Sequence, residues 1–405
     1  MGKIAQTFIF LFICCIQLTH AQGAEEFVTP SDRVKHYVSV RESTDTGSPV
    51  TARLEKNHKA KLIESVPFWH KIELSDGMQG YVSKAWTKIV PEQAERASNE
   101  LKIHFLNVDP GTCTLVECPG DNVQPLMVDC GAHCQFDTDT GKTEEEAKEY
   151  ITEILSSYTT KPNLVLSHAD YDHYTYIPTI FSDVNVEHIW QGGDADDYGS
   201  KGFPAWLTGQ RNNNANIHVG FPANFHTPSD QPIGDELSCG LANTYILTVN
   251  TPGSKNTNSL VLLIEYGDFT AIFTGDATGI TEDQIRANCP NVLKASVLVG
   301  SHQGADTHRS NSVEWAQAVT PKVTVFSSGW KFNHPRCDSV EKYEQYLSGA
   351  PSHPVQCDGS SEQYDTTYAE YMTEINGITV ITSNGRSLMY VECSLTPDCN
   401  GYVNH

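Results

Sequence analysis

NLVLSHADYDHYTYIP, residues 163–178, joins an unbroken apolar run to a dense set of polar side chains. Leu164-Val165-Leu166 reads as a strand buried on both faces. It ends in His168, Asp170, Asp172 and His173, with Tyr171 among them. Carboxylates and imidazoles at the end of a buried strand are costly to desolvate unless something compensates them. A bound cation does so. On extended chain His168 and Asp170 point the same way, because strand side chains repeat every two residues. Asp172 and His173 lie just past the strand, where a turn can aim them at a second point. One short segment can thus serve two neighbouring metals. Imidazole and carboxylate ligands without thiolate suit Zn²⁺, and also Mn²⁺ or Fe²⁺. The bland alternative is a polar loop of exposed histidines and aspartates.

Outward from this stretch the same arrangement recurs. Asp276 closes the apolar strand TAIFTGD, where a carboxylate can bridge two cations. His302 follows ASVLVGS. Asp129 closes PLMVDCG and suits a residue that orients a ligand rather than a ligand itself. LKIHFLNV, TLVEC and PLMVDCG read as consecutive strands, and Thr143 to Glu146 as a capping box opening an amphipathic helix over 143–158. Further strands are expected at 164–167, 186–190, TYILTV, SLVLLIEY, TAIFTGD, 296–299, 322–327 and 378–382. Helices are expected near 281–288, 311–319 and 338–348. A polar insertion at about 192–242 is placed at the substrate entrance, with Asp194, Asp196 and Asp197 on a solvated rim and Trp190 in the core. Strands first, then strands alternating with helices, predict two sheets with helices outside, an α/β fold.

Residues 27–90 differ. Short β-type runs separated by turn signals predict a small all-β barrel, and 91–100 (PEQAERASNE) a linker. The first 21 residues carry Lys3 and the apolar run FIFLFICCIQL, ending at Ala21, which fits a signal peptide at 1–21 cut before Gln22. No later segment is apolar enough for a membrane span. Of twelve cysteines, ten follow that segment, an even number suited to disulfides in an exported chain. Cys113/Cys118 and Cys393/Cys399 are expected as short staples, and Cys130/Cys134 as the weaker candidate for half a zinc site. With 27 basic and 50 acidic residues the formal charge is −23. Such a surface repels long nucleic acid and anionic membrane, but leaves local phosphate chemistry at a metal open.

The ordered set Leu101-x-x-His104-Phe105-Leu106-Asn107-Val108, Val128-Asp129-Cys130-Gly131, His168-x-Asp170-x-Asp172-His173, Asn258-Ser259-Leu260-Val261-Leu262, Phe273-Thr274-Gly275-Asp276-Ala277, Ser301-His302-Gln303-Gly304 and Asn333-His334-Pro335 resembles metallo-β-lactamase-fold hydrolases. Within those it is most similar to the ComEC-like secreted subgroup. The resemblance implies a four-layer αββα sandwich over 101–405, preceded by the small barrel. It also implies two divalent ions, Zn²⁺ first, with Mn²⁺ or Fe²⁺ as alternatives. His168 and Asp170 would hold one ion, Asp172, His173 and His302 the other, and Asp276 would bridge. Two such ions and three aspartates leave room for a bridging hydroxide as the nucleophile, which Asp172 would orient. His334 would contact substrate, donate a proton to a leaving group, or cap a turn. The pattern departs from the family at Asn250–Asn256, where many members carry another histidine; His226 is the nearest upstream substitute. It departs again at Asp109-Pro110-Gly111-Thr112 and at Gln303, which stands where a second histidine is usual. Residues 27–90 resemble bacterial SH3 domains, through Val38-Ser39-Val40-Arg41 and Asp76-Gly77-x-x-Gly80-Tyr81-Val82-Ser83. Such modules bind cell-wall peptide or protein surfaces.

These features favour an exported, secreted or periplasmic, metal-dependent hydrolase of phosphodiesters, acting on a small or cell-envelope substrate. A lactone or thioester hydrolase using the same site is the first alternative. An envelope-binding protein with a degenerate metal site is the second.

Overall fold

The computed structural model describes residues 26–404 apart from 32, 56–58, 75–76, 92–98, 134–141, 201, 229–230 and 361. The signal peptide, most of the linker, Asp76 and Cys134 fall outside the described residues. The chain divides into two compact units, Met1–Ala97 and Ser98–His405.

In the smaller unit seven strands form one sheet, in the order Val50–Glu55, Tyr37–Arg41, Gln79–Ser83, Trp69–Glu73, Ala60–Val66, Glu26–Pro30, Thr87–Pro91. Every neighbouring pair is antiparallel. Alternation does the sorting: Val38 and Val40 face a core with Val28, Leu54, Ile72 and Val82, while Tyr37 faces out.

The larger unit is mixed α/β. Its nine-stranded sheet runs Asn216–His218, His188–Gln191, Asn163–Leu166, Leu126–Ala132, Gly111–Glu117, Leu101–Phe105, Thr379–Ser383, Leu388–Cys393, Gly401–Asn404. The first four strands are parallel and the rest antiparallel. A six-stranded sheet runs Asn243–Thr248, Val261–Tyr266, Phe269–Phe273, Val297–Val299, Val323–Phe326, Glu370–Met372. The two-residue period places Val165 in one core and its neighbours Leu164 and Leu166 in another. The first core joins Ile103, Val128 and Val165 of the nine-stranded sheet to Leu262, Phe273 and Val325 of the six-stranded one. The second packs Leu164 and Leu166 against Ala147, Ile151 and Leu155 of helix Glu144–Leu155. The third packs Leu263, Ile272 and Leu298 against Ile285, Trp315 and Val340, which belong to three helices. Each such aliphatic side chain contributes about 1.5–3 kcal/mol through burial. The helix at 144 starts where the sequence indicates: Thr143 Oγ1 accepts from Glu146 N, and Glu146 returns a carboxylate to Thr143 N at 3.0 Å.

Two expectations need correction, and one segment is unread in the pattern. Cys113 does not pair with Cys118. Cys113 and Cys130 face each other in antiparallel register and are joined, and Cys118 reaches Cys239. Cys337–Cys357 and the expected Cys393–Cys399 bring the disulfides among the described residues to four, and Cys289 is a buried thiol. The stretch 192–242 is not wholly an insertion. It contains helix Phe203–Asn212 and the sheet's edge strand Asn216–His218, because Phe203 packs on the buried rings of Tyr174 and Tyr198. Residues 349–372 carry a hairpin, Gly349–Val355 with Tyr364–Tyr368, and the strand Glu370–Met372, none of which the pattern indicates.

Candidate metal centre

Backbone irregularities aim the side chains. Strand Leu126–Ala132 slips register between Val128 and Cys130, and Asp129 takes a left-handed φ of 52° there. A bulge of this kind re-aims one side chain without ending the sheet. It turns the Asp129 carboxylate to the next strand's end: Ser167 N donates to Oδ1 at 2.7 Å, and Ser167 Oγ to Oδ2 at 2.6 Å. His173 Nδ1 lies 2.9 Å from the same Oδ2. With Asp129 on its Nδ1 side, His173 has its Nε2 left to face the centre, the arrangement an orienting carboxylate requires.

Asp172 and His173 sit on a short helix, Tyr171–Tyr174, rather than in a turn. Gly131 lets that helix approach, since a Cβ there would stand 2.6 Å from Tyr171 O and Tyr174 N. Gly275 makes the corner before Asp276: its φ is +53°, and a Cβ would stand 2.6 Å from Ser167 Cβ. His302 and Gln303 both hold left-handed backbone, φ 50° and 54°. Neighbouring non-glycine residues in that region store strain, a feature concentrated at functional sites.

His168 and His173, past the end of strand Asn163–Leu166, and Asp276, past the end of strand Phe269–Phe273, converge so that one ligand atom from each lies within 4.8 Å of the others. His173 Nε2 is 3.1 Å from Asp276 Oδ1, although the two are not aligned as a hydrogen bond. His168 Nε2 is 3.8 Å, and His302 Nε2 3.4 Å, from Asp276 Oδ2. Asp170 Oδ2 lies 3.4 Å from His168 Nε2 and is the most exposed of the set, at 37%. Asp172 makes contacts of its own. Gln303 Nε2 donates to its Oδ2 at 2.8 Å, and His133 Nε2 stands 3.8 Å from its Oδ1. His334 lies edge-on to His302, ring centres 5.7 Å apart. His226 does not join the cluster; it contacts Asn224 O and Asn288.

The charges of the centre depend on one another. Burial opposes charge on Asp276, but His302, His173 and His168 outweigh it and hold the carboxyl well below the usual carboxylate range. Burial likewise opposes protonation of His173, but Asp276 and Asp129 outweigh it and raise its pKa. Asp170 is lowered chiefly by the neighbouring His168 imidazole. His334 is pushed down to about 4 by burial, with His302 adding repulsion, so its ring is uncharged at neutral pH. The residues fit divalent cations on one direct observation: His168 Nε2, His173 Nε2 and Asp276 Oδ1 are buried and make no hydrogen bond among the described residues. Unpartnered imidazole and carboxylate atoms aimed at one point are costly without a cation between them.

His133, Gln303 and Asn256 enter the neighbourhood without a strong sequence signal. His133 directly follows strand Leu126–Ala132, and Asn256 Nδ2 lies 3.2 Å from His302 Nε2. Gln303 is visible in sequence only as the departure from His-His-Gly.

No protein-family model matches the chain. It is 23% identical over 248 residues to ComE operon protein 3 of Bacillus subtilis (strain 168), a match covering 59% of this chain and 30% of that protein. Among solved structures, CmlA, a diiron β-hydroxylase from Streptomyces venezuelae, is similar over 65% of this chain and 52% of its own, with TM-score 0.36 and 11% identity. A CmlA point mutant is similar over 60% of this chain and 48% of its own at the same TM-score and identity. Likeness at that level assigns no chemistry.

Proposed function

We propose that the larger unit is a metallo-β-lactamase-fold hydrolase of the four-layer αββα type, using two divalent ions, Zn²⁺ first, on phosphodiester substrates. The observation that carries this reading is the convergence of His168, His173 and Asp276 with buried, unpartnered ligand atoms. His168 and Asp170 would hold one ion, Asp172, His173 and His302 the other, and Asp276 would serve both. Bound ions there would polarise the substrate oxygen and lower the pKa of water to about 7.

The chain's own residues do the rest. Asp129 fixes the His173 tautomer, Gln303 fixes the Asp172 rotamer, and Asp172 orients the attacking water. His334, uncharged at neutral pH, contacts the substrate. Among the described residues, four disulfides suit an extracellular or periplasmic site of action, and no helix is long and apolar enough to cross a membrane. The charge of −23 favours small phosphodiesters or envelope phosphates over long nucleic acid. The smaller unit, read as SH3-like, would hold the enzyme at a wall or protein surface.

The test is hydrolysis of bis-p-nitrophenyl phosphate against a lactone and thioester panel, with Zn²⁺ or Mn²⁺ added. Turnover of the phosphodiester, abolished in Asp276→Asn, supports the reading. Turnover confined to lactones or thioesters replaces the substrate class, and no turnover with no bound metal removes the enzyme.

A further inference from the structure

The ligand set drawn from the motifs has a gap in Asn250–Asn256, which contains no histidine. Distances around the centre show what stands there. Donor atoms that share an ion at about 2.1 Å lie roughly 3.0–3.5 Å apart, the lower end for octahedral and the upper for tetrahedral arrangements. Asp170 Oδ2 to His168 Nε2 is 3.4 Å, His302 Nε2 to Asp276 Oδ2 is 3.4 Å, and His173 Nε2 to Asp276 Oδ1 is 3.1 Å. Asn256 Nδ2 to His302 Nε2, at 3.2 Å, continues that series.

From this we infer that Asn256 is a ligand of the metal centre on the His302 side, through its carboxamide oxygen; the inference rests on the metal-binding reading above. An imidazole that ligates through Nε2 has no lone pair left to accept a hydrogen from Asn256. Half a turn of the carboxamide replaces the NH₂ group with Oδ1, an oxygen of the type divalent cations take. The two orientations occupy nearly the same space, so the exchange needs no backbone movement.

The backbone of Asn256 is already fixed. Ser259 N donates to Asn256 O at 3.1 Å, and Asn258 N to Ser254 O at 3.1 Å. Next in the chain, Thr257 is buried and its hydroxyl lies 3.2 Å from Thr278 Oγ1 and 3.0 Å from Ser254 Oγ. The preceding cation, Lys255, pairs with Asp197 at 3.8 Å. Asn256 is itself half-buried, with its amide against His302. A ligand on a pinned turn keeps its position when the ion leaves, which is the condition for a preorganised site.

The experiment uses the full chain, stripped with chelator and titrated with Zn²⁺ against a competing fluorescent chelator. A parallel titration with Co²⁺ follows the visible spectrum, whose intensity reports coordination number. Asn256→Ala is expected to weaken one of the bound equivalents by about tenfold or more and to change the Co²⁺ spectrum. Asn256→Asp, which keeps an oxygen at the same place, is expected to retain both equivalents. Thermal unfolding of the stripped proteins separates folding from ligation, because a merely structural role would lower both variants before any metal is added. Asn256→Ala with wild-type affinities and an unchanged spectrum would overturn the assignment and leave the proposed function standing. Asn256→Asp failing to restore what Asn256→Ala loses would also overturn it. A wild-type protein that takes up no Zn²⁺ or Co²⁺ would remove this assignment and the metal-binding reading together.

Discussion

Glu370 opens the last strand of the six-stranded sheet, is fully buried, and neither of its carboxylate oxygens makes a hydrogen bond among the described residues. Burial pushes its pKa up from 4.5 to about 7. A raised carboxyl pKa means that the fold prefers the protonated form. Below pH 4.5 the group is protonated in both folded and unfolded chains and costs little. Between there and about pH 7 the unfolded chain has released the proton while the folded chain keeps it, so stability falls as pH rises. Above about pH 7 both forms are ionised and the loss is complete. At about 1.4 kcal/mol per tenfold change in proton affinity, the shift from 4.5 to about 7 amounts to about 3 kcal/mol. Glu370→Gln keeps the volume and removes the titration. Urea unfolding of both proteins from pH 4.5 to 8 should give similar stabilities at the acid end and a variant about 3 kcal/mol more stable at the alkaline end. Taking the difference cancels other titrating groups, including Glu374, which is also pushed up to about 7 by burial. Parallel profiles for the two proteins would refute the reasoning.

Asp129→Asn leaves one acceptor oxygen where the carboxylate takes bonds from Ser167 N, Ser167 Oγ and His173 Nδ1. Metal affinity should fall by about 10- to 100-fold, read by chelator competition, and wild-type affinity would show that His173 needs no orienting partner. Gln303→Met removes the donor to Asp172 Oδ2 at similar volume, and Gln303→Glu sets a second carboxylate against it. The first should lose about 1.5–3 kcal/mol in urea unfolding and the second more at pH 8 than at pH 5, because ionisation of the new pair is what repels; equal losses at both pH values would contradict this.

The strands were legible because their signal is local. Leu164-Val165-Leu166, the run ending at Phe273 and the run ending at Val325-Phe326 each declare a buried strand by composition alone, and Thr143 with Glu146 declares a helix start. Asp276 and His302 could be chosen as ligands because both stand at strand ends. What stayed hidden depends on register. Cys113 joins Cys130 only because two antiparallel strands set them opposite each other, and no spacing rule reveals that. The bulge at Asp129 and the left-handed pair His302-Gln303 are backbone choices without glycine to announce them. Asn256 is an asparagine in a polar turn until the neighbouring imidazole is seen. Strand Asn216–His218 has partly exposed side chains and lies within a polar stretch, so its sheet membership is set by pairing with His188–Trp190 rather than by its own sequence.

The most direct measurement is elemental analysis of the purified full chain after metal loading and dialysis, for wild type, His173→Ala and Asp276→Asn. Two equivalents of a divalent ion should remain on the wild type, with loss of binding in both variants while circular dichroism shows the fold retained. A folded wild-type protein that holds no ion under any loading condition would contradict the metal centre at His168, His173 and Asp276.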